Sequence, residues 1–427
     1  MKRILLFFLS TFLFTVAKGE SNDNITLDFY GFVRVEAYMD TYKGVDAAHD
    51  LFYILPAYAV INQAEINNRL SSNITATASR LGVNINFPEV LKAKATGILE
   101  FDFVGNLKAD PTLFRIRQAY SLLTWEKSSL LIGQTWHPFF SGSCIPTVAG
   151  LNTGAPFSCF NRSPMIRYNK KFGKLTISAS AISQMQYNTP SIDAEELKLV
   201  TFNQAKRNGI IPELVLSAEW MKESITLGAG IGYNTICPRM MITGNPTDST
   251  SVSSVADQYL SNTTGMIYGR YKKDLLTILI KGYLGENMAH LTMPGAYGIA
   301  TRDALTGKET YTNYTTYTSS LNIVYGQKWQ LGLFAGYGGN LGTKEPLWDS
   351  GGGKAKVYGL FSNLQNMYRI APHISLNLPK FRMVGEFEVT GANYGVAGSK
   401  INLSNGLYES THNAVNKRFI IVMTQYF

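Results

Sequence analysis

The stretch "DFYGFVRVEAYMD", Asp28 to Asp40, alternates with a period of two. Phe29, Gly31, Val33, Val35, Ala37 and Met39 make an apolar face; Asp28, Tyr30, Phe32, Arg34, Glu36, Tyr38 and Asp40 make a wetter one. Successive side chains of a strand point to opposite faces, so the pattern predicts a strand between an apolar phase and water. A soluble sandwich alternates too, and one strand decides nothing. Repetition of the same sign along the chain does.

It recurs. "SRLGVNINF" opposes Leu81, Val83, Ile85 and Phe87 to Arg80, Gly82, Asn84 and Asn86. "KATGILEFDF" opposes Ala95, Gly97, Leu99, Phe101 and Phe103 to Lys94, Thr96, Ile98, Glu100 and Asp102. "FRIRQAYSLL" sets Arg115, Arg117, Ala119 and Ser121 against Phe114, Ile116, Tyr120 and Leu122, with Gln118 a misfit. "KFRMVGEFEVTG" sets Arg382, Glu386 and Glu388 against Phe381, Met383, Gly385, Phe387 and Val389. Isolated charges keep to one face, as in a transmembrane barrel with lipid outside and water inside. Short turns at "NKKFGK", "MKES", "YKKDL" and "NLPKF" alternate with long polar stretches at 41–71, 188–211, 239–262, 285–312, 340–365 and 395–413. The expectation is an all-β fold: a transmembrane antiparallel β-barrel of about 16 strands, an even number. The chain closes on "NKRFIIVMTQYF", whose Phe419, Ile421, Met423 and Phe427 share one parity broken by Gln425. This resembles the terminal strand of Gram-negative outer-membrane barrels.

The other end supports export. Lys2 and Arg3 precede an apolar run from Ile4 to Ala17, and Ala17 and Gly19 suit a cleavage site. Residues 1–19 are expected to be a signal peptide and 20–427 the barrel. No run of 18 apolar residues follows; the longest block is "LLTILI", Leu275 to Ile280. Tyr (24), Phe (23) and Gly (38) are abundant and only 16% of residues are charged, which suits short strands with aromatic girdles. The formal charge of +9 falls to about +6 without the signal segment. The basic residues are spread along the chain, so nucleic acid is not expected as a partner.

One loop stands apart. "PFFSGSCIPTVAGLNTGAPFSCFN", residues 138–161, has no Asp, Glu, Lys or Arg and is too long for a hairpin loop. Rich in Gly, Pro and aromatics, it suits folding into the barrel as a constriction; packing outward on a neighbouring subunit is the alternative. Cys144 and Cys159 lie within it, and either a disulfide or reduced thiols are open. Arg34, Arg80, Arg115, Arg117 and Arg167, with Lys281 later, fall on the lumen parity, and Arg162 joins those flanking the loop. They are the expected pore-lining and solute-binding groups, with Glu36, Glu100 and Asp102 as opposing acids. Guanidiniums bind carboxylate and phosphate bidentately, and a water-filled pore focuses their field on anions. The five His are scattered without ligand spacing, so no metal or other cofactor is expected. His137 beside Ser141 and Ser143 is better read as a residue at a strand end than as a catalytic base, and no enzyme is expected.

The segments "SRLGVNINF", "RIRQAYSLLTWEKSSLLIGQTWHPFF", "LNTGAPFSCFNRSPMIRYNKKFGKLTISASAISQMQY" and "MYRIAPHISLNLPKFRMVGEFEVTGANYG" together resemble the DcaP-type outer-membrane porins. The resemblance implies a 16-stranded porin, usually a homotrimer in outer-membrane lipid, that passes small anionic solutes such as dicarboxylates by diffusion. It carries basic lumen roles onto Arg80, Arg115, Arg117 and Arg167. Some relatives have an N-terminal coiled-coil segment; here a strand begins soon after the expected cleavage site. A structural or adhesive barrel whose long outer loops bind a partner is the alternative function.

Overall fold

The computed structural model describes residues 25–45, 52–105, 114–185, 189, 191–192, 199–200, 209–243, 253–396 and 398–427. The expected signal peptide lies outside them. Sixteen antiparallel strands close a barrel: β1 (Thr26–Asp40), β2 (Arg80–Asn86), β3 (Lys94–Asp102), β4 (Arg115–Thr124), β5 (Ser128–Trp136), β6 (Arg162–Phe172), β7 (Leu175–Ile182) and β8 (Glu213–Lys222). The second half is β9 (Ile225–Ile236), β10 (Leu260–Lys273), β11 (Leu276–Glu286), β12 (Glu309–Gly326), β13 (Trp329–Thr343), β14 (Leu364–Leu378), β15 (Phe381–Gly395) and β16 (Thr411–Tyr426). Closure falls on β1, which pairs with β2 through Thr26–Phe32 and with β16 through Phe32–Asp40. Full closure removes the sheet edge, which is what allows strands to cross lipid.

Every second connection is short, two residues at 173–174, 223–224, 274–275 and 379–380 and seven at 87–93, and every other one is long. The long loops are L1 (41–79), L2 (103–114), L3 (137–161), L4 (183–212), L5 (237–259), L6 (287–308), L7 (344–363) and L8 (396–410). Ser71–Thr75 in L1 extends the wall beside upper β1, and Gly295–Arg302 in L6 pairs with both β12 and Val357–Leu360 in L7. Among its described residues, the 41–71 stretch supplies no further pair of barrel strands.

The alternation of Asp28–Asp40 has the predicted direction. Phe29, Val33 and Met39 are exposed on the outer face, and Tyr38, Glu36 and Asp40 are buried inside. Phe29, Phe172, Tyr271, Tyr325, Trp329 and Phe427 ring the short-turn end on the outside, as an interfacial girdle does. In β16 Phe419, Ile421 and Met423 face outward, while Ile420, Val422 and Thr424 are buried.

β4 corrects the expected parity. Opposite β3, Glu100 pairs with Gln118 and Phe101 with Ile116, so the Arg117–Gln118 step is a bulge. A bulge adds one residue and inverts every side chain beyond it. Arg117 therefore points inward, as expected, but past Gln118 it is Tyr120 and Leu122 that pack inside, and Ser121 that is exposed. Gln118 is the misfit because the strand changes phase there.

Candidate functional site

L3 folds into the lumen. It leaves β5 through two 3₁₀ turns, Pro138–Phe140 and Gly142–Cys144, then follows the inside of the far wall back to β6. A loop without charged side chains must find partners for its own buried carbonyls and amides. The wall supplies them. Lys281 Nζ donates to Phe140 O (2.7 Å), Arg270 Nη1 to Ser143 O (2.8 Å), Arg34 Nη2 to Ala149 O (2.6 Å) and Arg369 Nη1 to Ala155 O (2.9 Å). Asn322 Oδ1 accepts from Thr147 N, and Glu386 Oε2 accepts from Ala149 N. The aromatic rings of L3 need space in the same wall. Phe139 lies against Gly230 and Gly232 of β9, and Phe157 so close to Gly336 of β13 that a Cβ there would approach it to 2.4 Å. These inward glycines are seats for the loop.

L1 also turns inward, which its reading as a polar outer stretch did not foresee. Tyr42, Phe52, Ile54 and Leu55 join Phe140, Phe157, Phe160, Phe334 and Met367 in one buried cluster. Tyr53 O accepts from Asn152 Nδ2 (2.7 Å), Ile54 O from Arg369 Nη2 (2.5 Å) and Pro56 O from Tyr394 Oη (2.8 Å). Burial and the neighbouring Glu65 carboxylate raise the Tyr42 phenol, which donates to Glu65 Oε1 at 2.7 Å and stays protonated. L1 and L3 are thus welded together, with Arg369 between them.

The remaining wall, β1 to β6, carries an ion-pair ladder. Arg34 meets Glu36 (2.5 Å), Arg115 is bidentate on Asp102 (2.9 and 2.8 Å), and Arg117 spans Glu100 (2.9 Å) and Asp102 (2.7 Å). Arg80 lies 3.7 Å from Glu100, with its guanidinium 4.8 Å from the Phe32 ring centroid. Arg167, partly exposed, donates to Trp136 O at 2.6 Å. It has no carboxylate within ion-pair distance among the described residues.

Three expected pore-lining groups are corrected. Arg117 is 2% exposed and sits behind the ladder, holding its carboxylates together. Arg162 is fully buried, its guanidinium 4.7 Å from the Trp136 ring centroid and 5.3 Å from that of Phe160. Lys281 is 1% exposed and is occupied by L3. Glu36, Glu100 and Asp102 do not oppose the arginines across the passage; they lie beneath them in the same wall. Arg34, Arg80, Arg115 and Arg167 remain at the water-facing surface.

The disulfide is also corrected. Cys144 and Cys159 are free and buried, Cys144 Sγ donating to Gly269 O at 3.6 Å and Cys159 packing with Phe139, Met165 and Tyr283. Burial pushes both thiols up, which keeps them protonated and unreactive. A maleimide reagent is expected to leave the folded barrel unlabelled at both positions and to label both after denaturation without reductant. Labelling that required reduction first would mean a bridge.

The histidines hold what spacing did not show. His137 at the start of L3 and His290 in L6 each place Nε2 3.0 Å from the same Glu213 Oε1, at the start of β8. His137 faces Glu213 rather than Ser141 or Ser143; Ser143 Oγ instead bonds Glu219. The three residues are separated by 76 or 77 positions, beyond any local motif.

A profile of the DcaP outer membrane protein family matches residues 13–176. No curated protein is similar enough in sequence to match. The fold is similar to the crystal structure of the outer membrane channel DcaP of Acinetobacter baumannii, with TM-score 0.65 and 15% identity, over 96% of this chain and 99% of that one. It is also similar to the trimer form of OmpT of Vibrio cholerae (0.53, 13%, 94% and 99%) and to an anion-selective porin from Comamonas acidovorans (0.53, 10%, 95% and 100%). The chain thus matches the DcaP outer membrane protein family over residues 13–176, and as a whole it folds as a closed 16-stranded β-barrel similar to those of outer-membrane channels.

Proposed function

We propose that the barrel is a water-filled channel for passive diffusion of small solutes, with a preference for anions of the dicarboxylate class. One observation carries this reading. In the ladder the cations face the water and the anions lie behind them. Side chains of Arg34, Arg80 and Arg115 are 14%, 20% and 19% exposed, against 1%, 5% and 1% for Glu36, Glu100 and Asp102. Field falls off with distance, so an ion in the passage feels the nearer guanidiniums more. L3, with no acidic residue in 138–161, adds no opposing charge from its side. Two guanidiniums in one wall also match the two ends of a dicarboxylate. The trimer form of one fold neighbour supports a homotrimer, and the apolar run Ile4 to Ala17 supports export through a cleaved signal peptide.

The test is the reversal potential of the folded protein in a planar bilayer under a salt gradient. The expected sign is that of an anion-preferring pore. Absence of current from correctly folded protein would remove the channel, and a cation-preferring sign would remove the selectivity.

A further inference from the structure

We propose that His137, Glu213 and His290 form a binding site for a divalent transition metal of the zinc class, which ties L3 and L6 to the wall. The three ligand atoms lie within 4.8 Å of one another and all three residues are buried. Two imidazoles and a carboxylate are a zinc donor set. The distances of 3.0 Å from Glu213 Oε1 to each Nε2 approach the edges of a small coordination polyhedron.

Two further observations point to a cation. Glu213 is 2% exposed, and among the described residues its ion-pair partners are these two imidazoles, with no Lys or Arg. A buried carboxylate facing two imidazoles, with no Lys or Arg beside it among the described residues, suits a divalent ion as its counter-charge. Glu213 Oε2 and His290 Nδ1 also have no hydrogen-bond partner among the described residues. The second oxygen is thus available to a metal, and the second nitrogen can carry the proton that a metal-bound imidazole keeps there.

His137 must give something up. Its Nδ1 accepts from Phe139 N at 3.2 Å. Binding through Nε2 puts a proton on Nδ1 and breaks this contact, exchanging one long hydrogen bond for a coordinate bond. The surroundings are laced for rigidity: Asn161 Nδ2 donates to His290 O (2.5 Å), Thr292 Oγ1 to Phe160 O (2.6 Å) and His137 N to Asn161 O (3.0 Å). Both ends of L3 and one turn of L6 therefore converge on the site. Because three distant segments build it and bury it, the metal enters as the barrel folds.

The test uses the full chain refolded into detergent with zinc chloride, freed of excess metal and analysed by mass spectrometry for zinc. About one zinc per folded chain is expected, and Glu213→Gln or His290→Gln should weaken binding at least tenfold. His290→Cys, which still offers a zinc ligand, should retain it. Zinc K-edge absorption on the unmutated protein should show imidazole scattering, which keeps the test decisive if a variant fails to fold. Wild-type protein without zinc above the His290→Gln background, or bound zinc without imidazole neighbours, overturns the site. Neither result bears on channel selectivity.

Discussion

The double variant Arg80→Ala, Arg115→Ala is expected to shift the permeability ratio of the barrel toward cations. Four guanidiniums (Arg34, Arg80, Arg115, Arg117) stand against three carboxylates (Glu36, Glu100, Asp102) in the ladder; the variant leaves two against three. A unit charge acting through water at ~7 Å contributes about 0.6 kcal/mol, roughly halved by screening at 0.1 M salt. Because it attracts one sign and repels the other, each charge shifts the permeability ratio about threefold, and the pair roughly sevenfold or more. Fold is preserved in this variant because Arg117 still holds both Glu100 (2.9 Å) and Asp102 (2.7 Å). Reversal potentials at low and high salt measure the effect, which should shrink at high salt. An unchanged ratio would mean that ions pass elsewhere.

The second large effect is expected from Arg369→Ala. This buried guanidinium donates to Ala155 O in L3, Ile54 O in L1 and Thr390 Oγ1, and lies 3.4 Å from Glu388. Its loss leaves two buried carbonyls without these donors and Glu388 without its nearest cation. Removing one partner of a buried pair costs about 3–5 kcal/mol. The barrel wall is held by its own ladder of hydrogen bonds, so the damage should appear in the two inward loops. Single-channel conductance should rise and become noisy, and the heat-induced gel shift of the folded band should occur at lower temperature. Arg369→Lys should recover little, because one ammonium on a flexible stem does not reproduce a planar fork held between two loops. Conductance and noise equal to wild type in the Ala variant would show that L1 and L3 are held by packing alone.

The β-barrel was legible because its cause is local. Lipid and water on opposite sides of a wall impose a period of two, and Asp28–Asp40, Ser79–Phe87 and Lys94–Phe103 each carry it without reference to any other segment. The same holds for the short and long connections and for L3, whose missing charges single it out among the long connections. Even the β4 bulge left its trace as Gln118. L1 was misread because its polar neighbours outweighed "FYIL", Phe52 to Leu55, the segment that enters the core.

What parity leaves open is depth and partner. It places Arg34 and Lys281 inside, yet only the tertiary structure decides that the first binds a loop carbonyl while staying partly wet, and that the second is buried beneath L3. It cannot assemble His137, Glu213 and His290, because their meeting depends on two loops reaching the same point of the wall. The sequence alone thus determined a barrel with an apolar outer face and basic groups in its lumen. The tertiary structure decided which of those groups still face water, because the carbonyls of an uncharged loop claim the donors nearest to them.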